Sequence, residues 1–343
     1  MRYVPFGVTG VQVSPLCLGA MMFGSWGNAD RGECVATIHQ ALDAGINVID
    51  TANVYSAGES EEIVGEALRG RRDGVVLATK FHAQVGPGPN DRGNSRKHIF
   101  QAVEASLTRL GTDYIDLYQA HRLDPEMDIA ETLGALSDLV HQGKVRWIGS
   151  STFPPSAIVS AQWAAERKGL ERFVCEQPPY SIFVRDAERE VLPTAMAQRM
   201  AVIVWSPLAG GWLSGRFRKG QPIEASGRAE RTPQRFDLAM PENRAKLDAI
   251  EALVPLADAE GISLPVLALG WVLTHPGVTA AIIGPRNRQQ LAGLLAAAEV
   301  TLQPAALDAI DAVVPPGHTL NRADLGFDNV WLRPEFRRSR SGG

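Results

Sequence analysis

Eight short apolar runs alternate with longer segments of helical periodicity, and the second, third and fourth runs deliver Asp50, Lys80 and His121 at or just past their ends. That pattern predicts an α/β fold closed as a (β/α)8 TIM barrel, with polar groups carried to one end of a parallel sheet. Strands are expected at 15–18, 47–50, 75–79, 115–119, 145–149, 174–177, 201–205 and 280–283. The helices between and after them are expected at 31–44, 60–69, 95–110, 129–142, 156–168, 188–198, 242–260 and 288–298. Ahead of the first strand, 2–4 and 11–13 flank Gly7 and Gly10 as a small hairpin. Further helices at 264–274 and 305–313 fall outside the eightfold repeat. A chain of 343 residues exceeds an ordinary domain, but barrels of about 250 residues with insertions remain single units. One domain over 1–343 is expected, its tail from about 315 partly irregular.

In such a barrel the C-terminal strand ends form the active face. Asp50, Lys80 and His121 follow strands two, three and four, and Tyr55 lies a few residues into the loop after Asp50. Hydride transfer to a carbonyl builds negative charge on its oxygen, so a proton donor is needed beside it. A phenol, with a pKa of about 10, is a weak acid at neutral pH. An ammonium within hydrogen-bonding reach stabilises the phenolate, and a carboxylate paired with the ammonium holds it charged. Tyr55, Lys80 and Asp50 fit those roles, and a neutral His121 can donate a second hydrogen bond to the oxygen. Singly, each also reads as a surface tyrosine, a solvated lysine or a loop histidine. Only the joint pattern argues for a site.

The segment NVIDTANVYSAGESEEIVGEAL resembles the aldo-keto reductase signature GxxxIDTAxxY…SExxxG, through Gly45, Ile49, Asp50, Thr51, Ala52, Tyr55, Ser60, Glu61 and Gly65. The resemblance covers nearly the whole chain. It implies a barrel that reduces an aldehyde, ketone or keto-sugar with NADPH, with Asp50, Tyr55, Lys80 and His121 as its catalytic residues. It further implies that Ser151, Thr152 and Gln177 hold the nicotinamide carboxamide, with Met21 and Asp50 as further cofactor contacts and Trp205 stacked on the ring. Thr152 stands where the family more often has Asn. SPLAGGWLSGR resembles the loop that folds over the pyrophosphate, through Ser206, Pro207, Leu208, Gly210 and Arg216. IIGPRNRQQL resembles the segment that grips a 2′-phosphate, through Gly284, Arg286 and Gln290, with Leu294 where relatives commonly place an adenine-side Asn. Trp26, Tyr55 and His121 are the expected substrate contacts. No GxGxxG fingerprint leads from a strand into a helix, so a Rossmann site is unsupported.

A net charge of −4 gives no electrostatic reason to expect nucleic acid. Apolar stretches such as VLALGWVL are too short to span a bilayer, and MRYVPFGVTG has no signal-peptide apolar region. Cys17, Cys34 and Cys175 show no CxxC or metal-ligand spacing, so no metal and a reducing cytoplasm are expected. Substrate walls are expected from Met21, Met22 and Trp26 and from the loops 86–94, 122–127 and 210–238, the last reading as a mobile flap. The basic C-terminal end reads as solvated, with Trp331 a candidate to reach the pocket. The particular carbonyl substrate and the oligomeric state stay open. Two further functions also stay open: an NADP(H)-binding regulatory or redox-sensing protein with slow turnover, and a barrel aldolase using Lys80 as a Schiff-base nucleophile.

Overall fold

The computed structural model describes residues 1–221, 227–326 and 334–337. Strands β1 (Val4–Pro5) and β2 (Gln12–Val13) form the N-terminal hairpin. The barrel strands are β3 (Leu16–Gly19), β4 (Val48–Asp50), β5 (Val76–Phe81), β6 (Ile115–Ala120), β7 (Val145–Ser151), β8 (Phe173–Gln177), β9 (Ala201–Val204) and β10 (Ala280–Ile283). All eight are parallel to their neighbours and close in the order β10-β3-β4-β5-β6-β7-β8-β9, each within two residues of its expected bounds.

Around them run α1 (Arg31–Asp43), α2 (Glu59–Ala67), α3 (Arg96–Leu110), α4 (Ile129–His141), α5 (Pro155–Lys168), α6 (Val191–Ala197), α7 (Gly227–Arg231), α8 (Pro241–Ala259), α9 (Leu264–Thr274), α10 (Arg288–Ala292) and α11 (Pro304–Val313). Local chemistry starts and stops them. Asp30, Ser95, Asp128 and Asn287 accept the first free backbone N–H groups of α1, α3, α4 and α10, while Gly111 and Gly169 end α3 and α5 in the left-handed conformation. Two helices are shorter than expected. The segment expected at 188–198 yields only Val191–Ala197 after a single 3-10 turn, Asp186–Glu188. The one expected at 288–298 breaks at Gly293 and resumes as the 3-10 turn Leu295–Ala298, which turns Leu294, Ala297 and Ala298 into the core.

Side-chain alternation along the strands sorts the residues into two shells. Cys17, Val48, Val76, Ala78, Leu117, Cys175, Ala201, Ile203 and Ala280 fill the barrel interior, and Phe6 and Val13 of the hairpin join the same cluster. A β-carbon at Gly7 would lie 2.8 Å from the backbone N of Ala201, so the hairpin turn seals the N-terminal end of the barrel. The other face of each strand meets the helices. The next inward positions after the apolar floor are Asp50, Lys80, Gln119 and Gln177, two residues beyond Val48, Ala78, Leu117 and Cys175. One register therefore stacks a polar layer on an apolar one at the C-terminal end.

The long loop expected at 210–238 is anchored where it is described. Trp212 is fully buried, stacks on Phe236 at 5.8 Å and 10°, lies 4.5 Å from Phe217, and donates to the Arg235 carbonyl at 3.2 Å. Residues 222–226 of that loop, Trp331 and residues 338–343 of the basic end lie outside the described residues. Among the described residues no single helix is long and apolar enough to cross a membrane.

Gly65 shows how closely the helical ring packs. A β-carbon there would sit 2.4 Å from the Leu110 carbonyl oxygen, so α2 rests directly on the C-terminal end of α3. Gly65→Ala must push the two helices apart, and overpacking of this kind costs about 1–3 kcal/mol. Urea unfolding of this variant is expected to show a lower midpoint at unchanged slope; an unchanged midpoint would mean that the contact gives way freely.

Candidate active site

Lys80 is completely buried, and its ammonium is surrounded by three acceptors: Asp50 Oδ2 at 2.6 Å, the Thr51 carbonyl at 2.8 Å and Tyr55 Oη at 3.3 Å. Three protons meet three partners. Burial alone would strip the ammonium of its charge, but the charge and hydrogen bonds of Asp50 and Tyr55 outweigh it and hold Lys80 above the ordinary lysine range. Asp50 is held in turn: its Oδ1 accepts from Gln177 Nε2 at 2.8 Å and Gln119 Nε2 at 3.4 Å. A Schiff-base nucleophile must be a neutral, accessible amine, and Lys80 is neither.

Tyr55 is delivered by a strained turn. Ser56 and Ala57 both take positive φ, 49° and 55°, before Gly58 leads into α2. Of the seven non-glycine residues with positive φ among those described, six lie on loops that follow barrel strands: Ser56, Ala57, His82, Thr152, Ser206 and Ala209. Such conformations cost of order 1–3 kcal/mol each and gather where side chains must be aimed. The Tyr55 ring meets the His121 ring edge-on at 5.9 Å and 80°, and the Trp26 ring at 5.9 Å on another side. Burial, then the positive charges of Lys80 and Arg122, push the His121 pKa well below the usual histidine value, so the ring is neutral at pH 7.

The cofactor candidates collect on the same face with part of their hydrogen-bonding already used. Ser151 Oγ donates to the Gln177 carbonyl at 3.0 Å, and Thr152 Oγ1 accepts from Trp205 Nε1 at 3.2 Å. The Gln177 amide, expected at the carboxamide, turns its nitrogen into the Asp50 network. Ser206 Oγ accepts from the Gly210 N–H at 2.8 Å and shapes the turn that holds Pro207 and Leu208. Met21 is half-buried in the turn after β3. Beyond exposed Gly284, the Arg286 N–H donates to Gln290 Oε1 at 2.9 Å, and Asn28 Nδ2 donates to the Arg286 carbonyl at 2.7 Å. With α10 only five residues long, any attraction for an anion rests on side chains.

Those side chains are three arginines. The Arg286 guanidinium is pushed below its usual pKa by partial burial and then by the charges of Arg216 and Arg231, and none of the three has an ion-pair partner among the described residues. Three cations sharing one region with no acid partner among the described residues suit the phosphates of a dinucleotide. Arg231 was not identifiable from the sequence: it comes from α7, its guanidinium lies 5.3 Å over the Trp26 ring and it donates to the Trp26 carbonyl at 3.4 Å. Gln119 was also missed, although a signal existed. It pairs in register with Lys80 and lies two residues before His121, hence on the same inward face.

A closed parallel barrel with lysine, aspartate and tyrosine joined at its C-terminal face is the arrangement of a carbonyl-reducing oxidoreductase. The chain belongs to the aldo/keto reductase family, whose model matches residues 15–315. It is 41% identical over 329 residues to the uncharacterized oxidoreductase YrpG of Bacillus subtilis (strain 168), covering 92% of this chain and 97% of that one. A probable voltage-gated potassium channel subunit beta of Arabidopsis thaliana is 36% identical, with 92% and 97% covered. Versiconal hemiacetal acetate reductase of Aspergillus parasiticus is 34% identical, with 89% and 94% covered. Membership supports reduction of small carbonyl compounds with a nicotinamide cofactor.

Beside the site, Glu176 is fully buried, with Ser150 Oγ donating to it at 2.5 Å and the Phe153 N–H at 3.1 Å. Burial outweighs those bonds and raises its pKa to about 7. An unfolded glutamate titrates near about 4.3, so between that value and about 7 the folded chain binds the extra proton. The stability this contributes is complete below the lower value and is lost as pH rises through the upper one. Glu176→Gln is therefore expected to melt a few degrees above the parent at pH 8.5 and level with it at pH 4. The same offset at both pH values would show that Glu176 does not titrate in this range.

Proposed function

We propose that the chain, a single barrel domain over residues 1–343, reduces an aldehyde, ketone or keto-sugar to the alcohol with NADPH, with Tyr55 as general acid. The observation that carries this reading is the Lys80 ammonium, saturated by Asp50, Thr51 and Tyr55. Bound at the C-terminal face, the cofactor supplies the hydride that adds to the carbonyl carbon. Tyr55 Oη gives its proton to the carbonyl oxygen, and the Lys80 charge stabilises the phenolate left behind. His121, neutral and edge-on to Tyr55, donates to the same oxygen and fixes its orientation. Trp26 and Trp205 flank the substrate and cofactor sides of the mouth. Ser151, Thr152 and Gln177 would hold the carboxamide, and Met21, Ser206, Pro207, Leu208 and Gly210 line the path to the phosphates. Arg216, Arg231 and Arg286 would take those phosphates, with Gly284 and Gln290 shaping the turn. Three buried cysteines, none in a disulfide, support a reducing cytoplasm as the compartment.

Tyr55→Phe is expected to keep the fold and cofactor affinity while reducing turnover of a reactive aromatic aldehyde by about a hundredfold or more, the range of a positioned general acid. Lys80→Met should act similarly. Near-parental turnover in Tyr55→Phe would remove Tyr55 from the role, and slow turnover in the parent itself would favour a cofactor-binding regulatory protein instead.

Arg286→Ala tests the cofactor. Loss of a charge-assisted fork to the 2′-phosphate, about 1.5–3 kcal/mol, should weaken NADPH binding by roughly ten- to a hundredfold and leave NADH nearly unchanged. Fluorescence titration with both cofactors reads the difference, and equal weakening would assign Arg286 to loop support.

A further inference from the structure

Arg122 is a further cation at the C-terminal face and takes no part in the proton transfer described above. It follows His121 at the end of β6, and its backbone is fixed by buried Asn94, whose Nδ2 donates to the Arg122 carbonyl at 2.9 Å. Its Nη1 donates to the His121 carbonyl at 2.5 Å, and most of its five guanidinium N–H groups have no partner among the described residues. A β-carbon built at Gly326 would stand 2.6 Å from Trp205 Cη2 and 3.8 Å from Arg122 Nη2, so the guanidinium and the Trp205 ring both lie against Gly326. Arg122 is also within electrostatic reach of Tyr55.

No carboxylate pairs with Arg122 among the described residues. Glu176, whose charge acts on Arg122, spends its oxygens on Ser150 and Phe153. A half-buried guanidinium with no ion-pair partner among the described residues is poorly solvated where it stands, and a planar carboxylate satisfies it with two parallel bonds. We propose that Arg122 anchors a carboxylate on the substrate, so that the compounds reduced at this site include oxo acids, small molecules carrying an aldehyde or ketone and a carboxylate. This rests on the carbonyl-reductase reading above and adds the substrate class to it.

Two probes of matched shape test the anchor: 4-formylbenzoate and its methyl ester, each reduced with NADPH. The parent is expected to favour the acid through KM. In Arg122→Leu the acid-to-ester ratio of kcat/KM should fall roughly ten- to a hundredfold, with Arg122→Lys recovering part of it. An equal loss on both probes, carried by kcat, would show that Arg122 only positions His121 through its carbonyl; a parent that favours the ester would equally overturn the proposal. Benzoate titrated against the tryptophan fluorescence of Trp26 and Trp205 reads the same anchor without turnover. Benzoate binding that depends on Arg122 in a protein that reduces neither probe would retain the anchor and defeat the reductase reading. Binding unaffected by Arg122→Leu would defeat the anchor alone.

Discussion

An ammonium with no exposure to solvent is among the more costly groups a fold can bury, and removing one of its partners leaves an uncompensated charge. Lys80 imposes that constraint on the centre of the barrel. Its acceptors come from β4 and the turn after it, and Asp50 is gripped by amides from β6 and β8. A single charge on β5 thereby couples that strand to three others and to the Tyr55 loop. A slip of one residue in β5 would turn Lys80 outward into the apolar shell against the helices, where no acceptor set of this kind exists. The register that closes the barrel is the same one that assembles the site.

Below this layer the interior is filled by Cys, Val, Ala, Leu and Ile side chains and sealed by Phe6 and Val13. A floor without polar groups excludes water and leaves the hydrogen bonds above it no competing partners, which strengthens them. Most of the strain gathers at the other end. Six of the non-glycine residues in the left-handed region sit on loops at the C-terminal face, and the packed shell of helices tolerates their cost. Stability is concentrated in the lower barrel and its helices, while the upper loops are set by what they must aim.

Strand ends were legible because β-branched runs are short and stop abruptly, and from them Asp50, Lys80 and His121 could be placed on one face. Tyr55 followed from its spacing to Asp50. Gln119 needed only the two-residue alternation from His121. Other features have no local signal. Arg231 reaches Trp26 across 205 residues of sequence, and Gly326 meets Trp205 only because Asp324 is clamped by Arg235 and Lys246, each at 2.6 Å. The break at Gly293 was hidden by an alanine-rich sequence of good helical propensity; tertiary packing of Leu294, Ala297 and Ala298 overrode it. The inward turn of the Gln177 amide depends on the position of Asp50, which a one-dimensional reading does not contain.

The net charge of −4 conceals a strong asymmetry. Among the described residues most paired acids meet their basic partner on the helical shell, as Glu62 and Glu66 do with Arg31, Glu131 and Asp138 with Arg96, and Glu251 with Arg218. Around the mouth the balance reverses. Arg122, Arg216, Arg231 and Arg286 stand without an acid among the described residues, and Asp50, which could neutralise one of them, is fully occupied by Lys80 and two amides. A concave face with low-dielectric walls focuses such a field, so it acts on an approaching anion well beyond contact distance. The separation of paired acids on the shell from cations that have no acid partner among the described residues suits an overall acidic chain to draw the phosphates of a nicotinamide cofactor, and the carboxylate proposed above, to the same end of the barrel.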